Sequence, residues 1–169
     1  MNTVHNPLRR SYEAKVLVVP LGNSADALTR SLTDHGLNGV QMLTQPAQTG
    51  AGTEVLGESA WPVPAGAGTT GLASEADMIV FVGGDLAEVP VDLVHEVCTA
   101  AKEAGRTSAA VLLNASHWEQ ADGSAAMKVL RQDVDMVVSV QDAKYAAALI
   151  DVLRGGARAE SHEQLEALS

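Results

Sequence analysis

The run Met78-Ile-Val-Phe-Val82, closed by Gly83-Gly84-Asp85, is the feature that most constrains how this chain can fold. A continuous stretch of branched and aromatic apolar residues suits a strand covered on both faces, as in a parallel sheet. A glycine pair at its carboxyl end permits a sharp turn, at the edge where open α/β sheets bind ligands. Further strands are predicted over Lys15–Pro20, Gly39–Thr44, Thr107–Leu113 and Val134–Val140. Segments of helical periodicity alternate with them: Ala25–Asp34, Val91–Ala104, a helix opened by Asp122 or Ser124 and running to Gln132, and Ala143–Leu153. Strands alternating with helices of this length demand crossover connections and a parallel sheet covered on both faces. The expected fold class is therefore α/β: a Rossmann-like three-layer sandwich with a mainly parallel sheet and helices on both faces.

Residues 1–13 read as a flexible arm, 14–154 as the domain, and 155–169 as a tail that begins where Gly155-Gly156 breaks the last helix. The Gly/Pro-rich stretch 45–71 reads as a long loop, with a short helix expected near Glu54–Ala60. A connection of that length in a compact domain is commonly functional or disordered.

Hydrophobic residues make up 46% of the 169 but aromatics only 3%, so the core must be built from aliphatic side chains, with Phe81, Trp61 and Trp118 as rare large pieces. The net charge of −10, with no basic cluster larger than Arg9-Arg10, argues against nucleic acid and against docking on anionic lipid. No apolar run approaches the ~20 residues needed to cross a bilayer, and no signal peptide is evident. Cys98 is the only cysteine, which fits a reducing compartment and an inert buried thiol. A soluble cytoplasmic protein is the expectation.

The common catalytic patterns are absent. The histidines, at 5, 35, 95, 117 and 162, have no zinc-site spacing, and no metal site is expected. His95 reads as a core histidine on the apolar side of its helix. There is no nucleophile elbow and no G-x-x-x-x-G-K-S/T loop. The turn Pro20-Leu-Gly-Asn-Ser24 lacks the glycines that a dinucleotide pyrophosphate requires.

Several short pieces in order nevertheless resemble the nucleotide-binding domain of the bacterial tubulin homologue FtsZ, over about Lys15 to Leu153. Lys15-Val-Leu-Val-Val is similar to its first strand, and Gly39-Val-Gln-Met42 to its second. Gly50-Ala-Gly-Thr-Glu-Val-Leu-Gly57 resembles its phosphate-side Gly-Ala-Gly loop, and Ala76-Asp-Met-Ile-Val-Phe-Val82 its Ala-Asp-Met-Val-Phe-Val strand. The helix Val91–Gly105 keeps the family's texture. The resemblance implies a nucleotide site from Gly22, Asn23, Gly50, Ala51, Gly52, Thr53, Gly83, Gly84, the ribose-binding acid Glu119 and the purine-side Asp142.

The departures from the family matter more. Its phosphate-wrapping Gly-Gly-Gly-Thr-Gly-Thr-Gly is reduced to Gly83-Gly-Asp-Leu-Ala-Glu88, with acids where phosphate would sit, and Gly123 replaces a basic residue. Triphosphate binding needs many backbone N–H groups close to oxygen, which only glycine-rich turns provide. The resemblance thus implies a domain without GTP hydrolysis and without a bound cofactor, acting as a scaffold or assembly factor by self-association or through a protein partner. Two alternatives stay open: a regulator that still binds GTP or GDP, and a small-ligand α/β enzyme. Trp61, between Ala60 and Pro62, is either packed on the sheet or an exposed partner anchor. Asp85 is the other candidate for a partner contact.

Overall fold

The structure is a computed structural model that describes residues 14–44, 52–56, 61 and 68–155. Its elements run β1 (Val16–Pro20), α1 (Ala25–Asp34), β2 (Val40–Thr44), β3 (Gly52–Leu56), α2 (Thr69–Glu75), β4 (Met78–Asp85), α3 (Val91–Glu103), β5 (Thr107–Ser116), α4 (Ala121–Asp133), β6 (Met136–Val140) and α5 (Ala143–Arg154). The sheet has the order β3-β2-β1-β4-β5-β6. β2, β1, β4, β5 and β6 are mutually parallel, and β3 alone runs antiparallel, beside β2. The fold is a three-layer α/β sandwich of Rossmann-like type.

Side chains of successive strand residues point to opposite faces, and that alternation divides the core in two. Leu17, Val19, Ile79, Phe81, Ala110 and Leu112 face one way, against Leu72 of α2, Val94 and Val97 of α3, and Ala126 and Leu130 of α4. Val16, Val18, Val80, Val82 and Val111 face the other way, against Leu32 of α1 and Ala146, Ala147 and Ile150 of α5. This is why β1 is buried along its whole length. Phe81, at 0% exposure, is the one phenylalanine and sits mid-sheet. Burying such a side chain is worth roughly 2–3 kcal/mol.

Three expectations are corrected. The segment near Glu54–Ala60 does not open as a helix: Gly52–Leu56 is strand β3, whose Thr53 and Val55 pair with Leu43 and Gln41. A helix lies elsewhere in the 45–71 stretch and beyond it, at Thr69–Glu75, where its short apolar face is only Leu72 and Ala73. Gly83-Gly84 is not a turn. β4 runs through both glycines to Asp85, with an irregularity in its pairing to β5 between Gly83 and Asp85.

His95 is also not in the core. Its side chain is 71% exposed and bonds Asp133 at 3.1 Å, tying α3 to α4. Gly155 ends α5 in the left-handed conformation (φ +100°), its N–H bonded to the Asp151 carbonyl at 3.0 Å.

Candidate functional site

β1 lies between β2 and β4, so the chain leaves its carboxyl end in one direction and returns in the other. In open α/β sheets the crevice at such a switch point is where ligands bind. Here it is formed by Leu21–Ser24 after β1 and by Gly83–Glu88 at the end of β4. The two ends are stitched by Leu21 N–H donating to the Val82 carbonyl at 2.8 Å.

The crevice is filled by the protein's own groups. After Asp85 the chain makes a single 3₁₀ turn, Leu86–Glu88, which Asp85 caps by accepting from Ala87 N–H at 3.0 Å. That turn carries Glu88 to the start of α1. The Oε2 oxygen of Glu88 accepts from Ser24 Oγ at 2.6 Å and from Ser24 N–H at 3.2 Å. A helix N-terminus offers free N–H groups and favours negative charge, and a carboxylate already occupies this one. Ser24, at the N-cap position of α1, makes no side-chain bond to the helix and gives its hydroxyl to Glu88 instead.

The glycines that the resemblance assigns to phosphate are pressed against the rest of the chain. Gly22 has φ +101°, and a Cβ there would lie 2.6 Å from Glu88 Cβ. A Cβ on Gly83 would lie 2.9 Å from Leu21 Cβ, and one on Gly84 2.6 Å from the Leu113 carbonyl oxygen.

Beside the crevice, β5 gives way to a tight loop. Asn114 (φ 48°), near the end of β5, and His117 (φ 60°), just after it, both adopt the left-handed region, uncommon for residues with a side chain. His117 Nδ1 lies 2.7 Å from Asp85 Oδ1. Asp85, hydrogen-bonded by His117, is held below the usual carboxylate range, and the same bond raises the pKa of His117, helped by Glu119 and Glu88. The two shifts agree on an imidazolium donating to a carboxylate. Gly123, in the first turn of α4, is locked against this loop: a Cβ on it would fall 1.8 Å from the His117 carbonyl oxygen. The loop thereby holds Trp118 out from the surface, 63% exposed, so that, against expectation, it is not one of the large pieces of the core.

The residues singled out in the sequence divide as follows. The structure brings Gly22, Asn23, Gly83, Gly84 and Asp85 to one edge, around Glu88 and Ser24. Gly52 and Thr53 are paired in β3 with Thr44 and Leu43, the geometry of a strand and not of a phosphate loop. Gly50 and Ala51 lie outside the described residues. Glu119 is exposed on the loop before α4. Asp142 is the N-cap of α5 and accepts from Lys144 N–H at 3.0 Å. Trp61 is 1% exposed and so packs as a core piece; it presents no surface to a partner. Cys98 is buried, which pushes its thiol pKa up to about 11 and leaves it unreactive near neutrality.

The pairing of His117 with Asp85 leaves no signal in the sequence, because the two lie 32 residues apart. Among the described residues no group of three or more His, Cys, Asp or Glu could hold a metal, and no hydroxyl or thiol hydrogen-bonds to His117. No described helix is long and apolar enough to cross a membrane.

Fold and site together define a Rossmann-like α/β domain whose switch-point crevice is filled by its own side chains. No protein-family model matches the chain, and no curated protein matches it. The crystal structure of the conserved hypothetical protein BatB from Bacteroides thetaiotaomicron is similar to it at 13% identity, over 80% of this chain and 93% of that one, with a TM-score of 0.44. A likeness of that size says nothing about activity or partner.

Proposed function

We propose that this chain is an FtsZ-like domain without GTPase activity, working in the cytoplasm as a scaffold or assembly factor through self-association or a protein partner. The observation that supports this reading best is the contact of Glu88 with the N-terminus of α1. A nucleotide phosphate entering there would have to displace a carboxylate that already takes the Ser24 donors. Gly123 adds to the reading: the position that is basic in the family is pressed so closely on the His117 carbonyl that no side chain fits.

Thermal unfolding with GTP, GDP and ATP, each with magnesium, tests the proposal. Ligand well above its Kd stabilises a fold by RT ln(1 + [L]/Kd); no shift is expected with any of the three. A clear shift with GTP or GDP would replace this reading by the nucleotide-binding regulator. Light scattering and partner capture then test the interaction itself, and a strictly monomeric protein that binds no partner would end the scaffold reading.

A second reading, a small-ligand enzyme, rests on the Asp85–His117 pair. A carboxylate that orients an imidazole is half of a general-base arrangement. The reading lacks a nucleophile beside it. Loss of a measured turnover in His117→Asn, with the fold intact, would be needed to adopt it.

A further inference from the structure

The outer margin of the sheet at β6 is built differently from its interior. β6 is the terminal strand of the sheet among the described residues and pairs with β5. None of its residues is fully buried, and Met136 is 37% exposed. Edge strands are normally blunted by Lys, Pro, bulges or inward charges, because their free N–H and C=O groups invite another strand. The sequence Met-Val-Val-Ser-Val of β6 has none of these.

An open groove of about 1090 Å³ runs beside this edge, between the end of β6, α4 and the loop that carries Trp118. Its apolar floor includes Met127 and Val140, with the indole of Trp118 at the rim. Among the described residues its ionisable lining is Lys128 and Arg131, one helical turn apart on α4, with no Asp or Glu. Neither cation makes an ion pair among the described residues, whereas Arg106 and Arg154 do. In a chain of net charge −10, a concave surface whose described charges are both positive is a local inversion of the surrounding field.

From these features we infer that the β6 edge and this groove take an extended acidic segment of a protein partner, laid beside β6 as an additional strand. Main-chain hydrogen bonds along β6 would hold it, and its alternate side chains would enter the groove. Carboxylates would meet Lys128 and Arg131, and a bulky apolar side chain would cover Met127 and stack on Trp118. The field of the whole chain opposes a polynucleotide, whose charge extends well beyond the groove. A short acidic strand meets chiefly the local cations, since exposed charges further off than ~8–10 Å are screened. The inference rests on the interaction reading above and gives it a surface and a partner chemistry.

The test is a display library of short random segments panned against the full chain. Selected peptides are then titrated against the Trp61→Phe protein, in which Trp118 is the sole indole. The selected segments are expected to alternate acidic with apolar residues and to change Trp118 emission. Their affinity should fall about tenfold or more in Lys128→Glu/Arg131→Glu, a surface change whose thermal unfolding verifies the fold. Methylating alternate peptide nitrogens should abolish binding without touching the protein, and amide exchange over 136–140 should slow in the complex.

Failure to select any segment, selection of segments without acids, or affinity unchanged by the double charge reversal would overturn the inference. So would β6 amides already protected by a second copy of the chain. If self-association or partner capture survives the charge reversal, only the groove assignment falls; if nucleotide stabilises the fold, the interaction reading itself falls.

Discussion

The indole N–H of Trp61 donates to the Val16 carbonyl oxygen at 2.8 Å, while the Trp61 carbonyl accepts from Gln41 Nε2 at 2.6 Å. One residue thus closes a polar circuit on β1 and β2 within an apolar layer. Gln41, only 5% exposed, depends on it for a partner. Trp61→Phe keeps most of the volume and loses the donor, so a cost of about 1–2 kcal/mol is expected in urea unfolding. Trp61→Ala should cost about 3–5 kcal/mol through the cavity it leaves. A loss below about 0.5 kcal/mol for the alanine variant, the level of an ordinary surface substitution, would return Trp61 to the surface.

The Asp85–His117 pair gives stability a definite pH window. The pKa of His117 is raised from 6.5, so its contribution is complete below that value and is lost as pH rises through the folded-state pKa. The pKa of Asp85 is lowered from 3.8, so its contribution is complete above that value and is lost as pH falls through the folded-state pKa. Both hold together between 3.8 and 6.5. The stability difference between the parent and His117→Asn, followed by chemical unfolding from pH 3 to 9, should be largest near pH 5. A flat difference across that range would dismiss the ion pair.

Gly123→Ala should be among the most damaging single-methyl substitutions in the domain. The added Cβ would meet the His117 carbonyl at 1.8 Å, and the obstacle is backbone, not the end of a flexible side chain. Overpacking of this kind costs about 2–3 kcal/mol, or roughly 5–10 °C in Tm for a domain of this size. The loop would yield as well, so Trp118 emission should change in the same variant. Unaltered unfolding and emission would mean that α4 is not locked to the loop.

Much of the fold was legible because its strands are continuous apolar runs. Met78–Val82 and Thr107–Leu113 read as strands covered on both faces, and the structure places both in mid-sheet. What stayed hidden was decided by partners distant in sequence. Gly52–Leu56 is a strand because β2 is beside it, not because of its composition. Gly83-Gly84 resembles a turn locally but continues β4, since the neighbouring Leu21 and Leu113 leave no room for side chains there. The acids after Gly84 could be recognised as hostile to phosphate. Their bonds could not: Glu88 reaches Ser24 across 64 residues, and Asp85 reaches His117 across 32.

Replacing Glu88 separates two reasons for a site without nucleotide. If the carboxylate alone blocks the crevice, Glu88→Ala should open the α1 N-terminus to phosphate. If the lost glycine turns matter more, the same variant should stay without affinity. The second outcome is expected, because one helix N-terminus supplies a few N–H groups, and Gly22 and Gly83 remain pressed against their neighbours. The variant should lose about 0.5–1.5 kcal/mol from the missing Ser24 bonds, at the low end because both residues are exposed. Thermal unfolding with and without magnesium GTP reads both effects at once. A GTP-dependent rise in Tm that appears only in Glu88→Ala would make Glu88 the single barrier and the crevice a nucleotide site held shut by one side chain.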